Sequence, residues 1–205
     1  NKYNRTKNSF EVVRELGDNL VFSIYEDRGG RLWFGTFNGI YELDRTTSLF
    51  RRYQWRDSGP RRPTNIAITE DSLGNLLVAT IGDGMGVLDK NAGELVPFEL
   101  SVVSPNRPSN NRVYAILEDK NRQLWIATAE GVERIDVTRQ IHTVFRHDPN
   151  DSTSLSANDA GAIYEDSTGT IWIGTTSGGL NRYDTSTGKF TSFSRKDGLP
   201  SNDVF

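Results

Sequence analysis

The chain has 205 residues, 35% of them apolar and 10% aromatic, with a net charge of −3, two histidines and no cysteine. This composition excludes disulfides and thiolate metal sites, and an isoelectric point near 5.5 offers no basic footprint for nucleic acid. No run approaches the roughly 18 apolar residues of a membrane-spanning helix, and no charged-then-apolar leader opens the sequence, which starts at Asn1 and reads as an excerpt of a longer chain.

In residues 1–15, Phe10 and Val13 match an apolar pair that closes each later unit, so this segment reads as the last strand of a preceding, partial unit. The first complete unit spans about 16–60. It opens with a strand from Val21 to Glu26, closed by the turn Asp27-Arg28-Gly29-Gly30. Asp at the start and Gly at the end is type I turn chemistry, with the carboxylate bonding back to the backbone. The next strand, Leu32-Trp33-Phe34-Gly35-Thr36, is apolar on both sides, as suits burial on both faces. A loop leads to Gly39, a third strand ends at Asp44, and a short turn enters a fourth strand carrying Phe50 and Tyr53.

This order returns three times. Ala67 to Asp71 precede Leu76 to Thr80 in unit 61–108; Ala115 to Asp119 precede Leu124 to Thr128 in unit 109–155; Ala162 to Asp166 precede Ile171 to Thr175 in unit 156–196. The aspartates at 27, 71, 119 and 166 are 44, 48 and 47 residues apart, as are the threonines at 36, 80, 128 and 175. In the third unit the turn is Asp119-Lys120-Asn121-Arg122, and Asn121 is expected in the left-handed conformation. Residues 197–205 read as the lead-in to another first strand. A period in the forties made of four short strands predicts an all-β fold, the β-propeller. Four complete four-stranded blades with partial blades at both ends fit an arc of a larger ring; a closed ring of four is the alternative. An open arc exposes two apolar blade faces, and is expected to dimerise, aggregate or be completed by further chain.

Strand order sorts the loops onto two rims. The Asp-x-x-Gly turns and the third-to-fourth hairpins share one; the second-to-third loops and the long connectors between blades share the other. Irregular loops on a rigid scaffold are where binding concentrates. The candidate ligand site is therefore Trp55, Arg56, Arg61 and Arg62 of one connector, with Phe37, Asn38, Asp83, Glu130 and Ser177 of the shorter loops. Trp55 stands outside the repeat: either it stacks on a sugar or acidic ligand with its arginines, or it packs down as a loop anchor. Trp33, Trp125 and Trp172 follow the period of the fold and read as core, and the recurring Glu-Asp pairs as turn residues. Gly82-Asp83-Gly84-Met85-Gly86 precedes no helix to present to a phosphate. His142 and His147 make a poor metal set, Asp148-Pro149-Asn150-Asp151 reads as a turn, and no Ser/His/Asp set is arguable, so no catalytic residue, metal or cofactor is assigned.

Glu-Asp-x-x-Gly-x-Ile/Leu-Trp-Ile/Phe-Gly-Thr, then Gly-Leu/Ile-x-x-Tyr/Leu-Asp, then Phe-x-x-Phe/Tyr, with Gly198-Leu199-Pro200-Ser201-Asn202-Asp203-Val204 at the end, resembles the two-component regulator propeller repeat. Residues 147–156 are similar to the linker between blades of that family. Leu77 for Trp, and Ala79 and Ala127 for Gly, depart from the motif. The resemblance implies the periplasmic sensor region of a bacterial hybrid histidine kinase or membrane diguanylate cyclase. Such regions often have seven blades per ring, are homodimeric within the receptor and are membrane-linked through segments lying elsewhere; some relatives sense oligosaccharides. The reading is thus a non-catalytic domain for an oligosaccharide or similar small ligand, with no nucleic-acid partner. A protein-binding scaffold is the alternative, and a quinone-dependent or lyase-type propeller enzyme a third.

Overall fold

The computed structural model describes residues 2–11, 13, 16, 20–56, 64–98, 110–136 and 141–205. A hairpin of β1 (Lys2–Asn4) and β2 (Ser9–Glu11) comes first. Blade one is β3 (Val21–Glu26), β4 (Leu32–Thr36), β5 (Gly39–Leu43) and β6 (Phe50–Tyr53); blade two is β7 (Thr64–Glu70), β8 (Leu76–Ile81), β9 (Met85–Asp89) and β10 (Glu94–Pro97). Blade three is β11 (Val113–Glu118), β12 (Gln123–Thr128), β13 (Gly131–Asp136) and β14 (Ile141–Phe145); blade four is β15 (Ala160–Glu165), β16 (Ile171–Thr175), β17 (Gly179–Asp184) and β18 (Lys189–Phe193). Each blade is an antiparallel meander in chain order. The first strands β3, β7, β11 and β15 are neighbours from blade to blade, the arrangement of a propeller. Among the described residues no helix is long and apolar enough to cross a membrane.

Two local readings need correction. Residues 1–15 hold two strands, not one: Tyr3-Asn4-Arg5-Thr6 parallels Tyr183-Asp184-Thr185-Ser186, and the Asn4 amide oxygen accepts the Lys7 N–H at 3.1 Å as Asp44 does from Thr47. In the third blade's turn the left-handed residue is Arg122, at φ 60, not Asn121. Its N–H must reach the Asp119 carbonyl (2.8 Å), a task that Gly30, Gly74 and Gly169 perform at φ 76 to 87 in the other blades.

The doubly apolar second strand is explained by three seams. Strand alternation sends Trp33, Leu77 and Trp125 toward the following blade, and Leu76/Val78, Leu124/Ile126 and Ile171/Ile173 toward the preceding one. At the third seam Trp125 is fully buried, stacked on Phe145 and edge-on to Tyr183, with the Arg134 guanidinium 5.6 Å from its ring.

The Glu-Asp pair divides its labour, where the sequence assigned both residues to the turn. The aspartate works within its blade. Asp27, Asp119 and Asp166 each accept the indole N–H of the tryptophan six residues on, at 2.9, 2.8 and 2.8 Å, through the oxygen left over from the turn. In blade two, where Leu77 has no indole, the Asn75 amide fills that place on Asp71 at 2.8 Å. The glutamate works between blades: Glu70 accepts the Arg28 N–H (2.9 Å), Glu118 the Ser72 N–H and hydroxyl, and Glu165 the Lys120 N–H (3.1 Å).

Blades one and four have outward faces that no seam covers. Ile24 is 66% and Tyr164 64% exposed, although their equivalents Ile116 and Leu117 are seam residues. The arc is thus open at both ends, as the sequence predicted.

Candidate ligand site at the loop rim

The loop rim is built four times on one plan. The hydroxyls of Thr36, Thr80, Thr128 and Thr175 donate to the carbonyls of Gly39, Gly84, Gly131 and Gly179 at 2.8 to 3.0 Å, clamping each second-to-third loop. The same oxygens accept the N–H groups of Asn38, Asp83 and Glu130. Gly131, at φ 127, shows why glycine ends the loop: a Cβ there would lie 2.3 Å from the Phe145 carbonyl oxygen of the fourth strand. Phe37, Asn38, Asp83, Glu130 and Ser177 therefore occupy matching positions on one rim of four successive blades. Phe37 is 41% exposed, Glu130 is exposed, and Ser177 is held at φ 74 with its N–H on Asp203.

The connector residues fare differently. Trp55 is buried at the seam of blades one and two, beside Trp33, Tyr53 and Leu95. The chain at 54–56 runs parallel to β10 and bonds to Leu95 on both sides, and the indole fills the place of a side chain missing at Gly86, whose Cβ would lie 2.1 Å from it. Of the two readings of Trp55, the anchor is the one the packing gives; an exposed stacking platform is corrected. Arg56 is exposed but ion-paired with Glu94 (2.9 Å) and Asp89 (3.2 Å) at the hairpin of the next blade, so it has left the loop rim. Arg61 and Arg62 lie outside the described residues. Leu155 anchors the connector to blade four at the third seam, where Thr153 accepts from Phe190 as Gln54 does from Leu95.

Sequence reasoning missed the rim residues supplied by the first strands. Every first strand shifts register just below the rim, between Val21/Ser23, Asn65/Ala67, Val113/Ala115 and Ala160/Ala162. Such bulges re-aim a side chain. The bulged residues are Phe22, Ile66, Tyr114 and Gly161. Phe22 is 42% exposed and meets Phe37 edge-on at 4.7 Å. Tyr114 lies beneath the Arg112 guanidinium, 5.6 Å from its ring centroid, and burial together with the Asp159 carboxylate raises its phenol above the usual range. The signal was present: between regular neighbours, this one position reads Phe, Ile, Tyr and Gly. Among the described residues no three His, Cys, Asp or Glu side chains gather closely enough to hold a metal. His142 bonds buried Glu133 (2.7 Å) and His147 the Leu155 carbonyl (2.8 Å).

The rim so built offers aromatic rings, amide and hydroxyl groups and charged side chains, a set that can stack on a ring and hydrogen-bond its edge. The fold is shared with solved structures. The extracellular domain of a B. thetaiotaomicron protein assigned to the hybrid two component systems, BT3049, matches with a TM-score of 0.74 at 21% identity over 96% of this chain and 27% of its own length. Another from the same organism, BT4673, matches at 0.66 and 23% over 86% and 25%. Virginiamycin B lyase from Staphylococcus aureus matches at 0.62 and 20% over 86% and 56%. The chain thus spans about a quarter of the first two. No curated protein matches it. Residues 15–38, 107–130 and 154–177 match the model of the two component regulator propeller, each running from a connector through a first strand and its turn to just past the Trp strand, so these three segments are similar to the two component regulator propeller repeat.

Proposed function

We propose that this chain is a sensing region of a bacterial signal-transduction receptor, lying on the extracytoplasmic side of the inner membrane and binding a small polar ligand at its loop rim. What carries the reading is the asymmetry between the rims. On the hairpin rim, side chains are spent on turns and latches: Asp71, Asp119 and Asp166 on their turns, Glu70, Glu118 and Glu165 on neighbouring blades. On the loop rim the side chains differ from blade to blade while the backbone clamp stays constant. The three segments that match the two component regulator propeller and the extracellular two component neighbours support the sensor role. The ligand class proposed is an oligosaccharide, because Phe22, Phe37 and Tyr114 offer aromatic rings on the same rim as Asn38, and Arg112 and Asp159 both act on the Tyr114 side chain. Binding would bias the arrangement of two receptor chains and so reach a kinase or cyclase output. The domain itself is proposed to be non-catalytic; the lyase neighbour shows that enzymes share the fold. Calorimetric titration with soluble oligosaccharides tests it: Phe22→Ala and Arg112→Ala should weaken binding at least about tenfold, roughly 1.4 kcal/mol, whereas Trp55→Phe should not. Unchanged affinity in both rim variants rejects the site.

A further inference from the structure

The rim loops alternate in length, and length decides whether a loop reaches the segment beyond its own blade. Three residues part the clamp threonine from the glycine in blade two (81–83) and blade four (176–178); two do so in blade one (Phe37, Asn38) and blade three (Ala129, Glu130). Asn111-Arg112-Val113, Asn158-Asp159-Ala160 and Asn202-Asp203-Val204 are equivalent segments, the first two leading into β11 and β15. The longer loops bond to them. Gly82 and Gly84 each donate an N–H to the Asn111 carbonyl at 2.9 Å, and Gly179 donates to the Asn202 carbonyl at 2.8 Å. At the third seam the loop is one residue short, and among the described residues no backbone bond joins 129–131 to Asn158 or Asp159. Side chains follow the same rule. Asp203 accepts the Ser177 N–H of the blade-four loop at 3.0 Å. Its equivalent Asp159 is half-buried and accepts no N–H from the blade-three loop; its carboxylate acts instead on the Tyr114 phenol across the seam. The exposed Arg112 guanidinium lies 5.6 Å from the Tyr114 ring centroid. Arg56 spends its charge on Glu94 and Asp89, whereas no described carboxylate is ion-paired with Arg112. The unbridged seam therefore gathers a ring, a guanidinium and a carboxylate that the fold does not use to join its blades.

We propose that Asp159 is the specificity-determining residue of the loop rim, acting with Arg112 and Tyr114 at the third seam, and that the sugar unit seated there is uncharged. This rests on the sensor reading above and deepens it. An ionised carboxylate only accepts hydrogen bonds, so Asp159 takes the hydroxyls of a sugar unit, and such charge-assisted bonds are the strong ones. Arg112 only donates, and meets a ring or glycosidic oxygen. Tyr114 supplies the stacking surface. A uronic or sulfated unit would set a second anion against Asp159, with Glu130 exposed on the same short loop, and like charges brought together select against a partner.

Calorimetric titration of the 205-residue chain with neutral gluco-, xylo-, manno-, galacto- and arabino-oligosaccharides and with hexagalacturonic acid tests this. A neutral oligosaccharide should bind, and hexagalacturonic acid should bind at least about tenfold more weakly. Asp159→Asn keeps the shape and removes the charge. It should weaken the neutral ligand at least about tenfold and leave hexagalacturonic acid unweakened, a change of preference that loss of structure alone does not produce. Inserting one glycine between Ala129 and Glu130 gives blade three the loop length of blades two and four. It should bridge the seam and weaken the neutral ligand at least about tenfold, with circular dichroism showing the sheet retained; if that variant misfolds, the preference measured for Asp159→Asn decides. Tightest binding to hexagalacturonic acid, or a neutral ligand held equally by the wild-type chain and either folded variant, overturns the role of Asp159 and leaves the loop-rim sensor standing. Binding of no oligosaccharide in the panel overturns both.

Discussion

Trp125→Leu probes the link between turn and core. Trp125 is fully buried, and its indole N–H donates to Asp119 at 2.8 Å. Leucine at the equivalent position is tolerated in blade two, so the backbone accepts it. The cost in blade three has two parts. Truncating the indole inside the aromatic cluster of Phe145 and Tyr183 costs about 2–3 kcal/mol, less than a full Trp→Ala change because leucine refills part of the space. Stranding an oxygen of Asp119, itself only 7% exposed, adds about 1–3 kcal/mol. The total is roughly 3–6 kcal/mol, or about 6–24 °C in midpoint for a chain of this size. Blade two also supplies the remedy. Asn75, four residues after Asp71, replaces the missing indole donor, and Gln123 holds that position in blade three. Trp125→Leu with Gln123→Asn should therefore recover about 0.5–1.5 kcal/mol; the side-chain bond from Gln123 to Asp136 that is given up is a long one of 3.4 Å. Urea denaturation with unchanged slope measures both. A double variant no more stable than Trp125→Leu alone would refute the donor exchange.

Other perturbations separate the remaining contacts. Glu118→Ala unlatches blades two and three by removing the acceptor of the Ser72 N–H and hydroxyl, and should cost about 1–3 kcal/mol in the same assay; Glu26→Ala, which among the described residues loses an ion pair with the exposed Arg45, should change stability by less than about 0.5 kcal/mol. Bonds from the Ser186 hydroxyl and N–H and the Thr187 hydroxyl hold Asp184 down at about 2. A carboxylate depressed in the folded state stabilises above its unfolded value near 3.9 and loses that contribution as the pH falls toward 2. The stability difference between the wild-type chain and Asp184→Asn should therefore be constant above about pH 5 and shrink between about pH 4 and 2; a constant difference through that window contradicts the assignment.

The repeat made most of the fold legible. Asp-x-x-Gly at a fixed interval located each first turn, and the doubly apolar Trp strand announced burial between blades. Trp55 was harder to read because its partner is an absence: Gly86, thirty-one positions on, leaves the space its indole fills. Neither residue signals the other along the chain. The glutamate latches were visible as a period but not as a partner, since each carboxylate reaches about one repeat back to a backbone N–H, which any residue type supplies. At the rim, positions after the clamped threonine could be found by counting, whereas Phe22 and Tyr114 depend on bulges that simple alternation does not register.

The most direct test of a loop-rim sensor is hydrogen exchange of the chain with and without saturating oligosaccharide that calorimetry has shown to bind. Protection is expected in the Thr36–Gly39 and Thr128–Gly131 loops and around Phe22 and Tyr114, with the Asp-x-x-Gly turns unchanged. Protection confined to those turns, or to the outward faces of blades one and four, would contradict it.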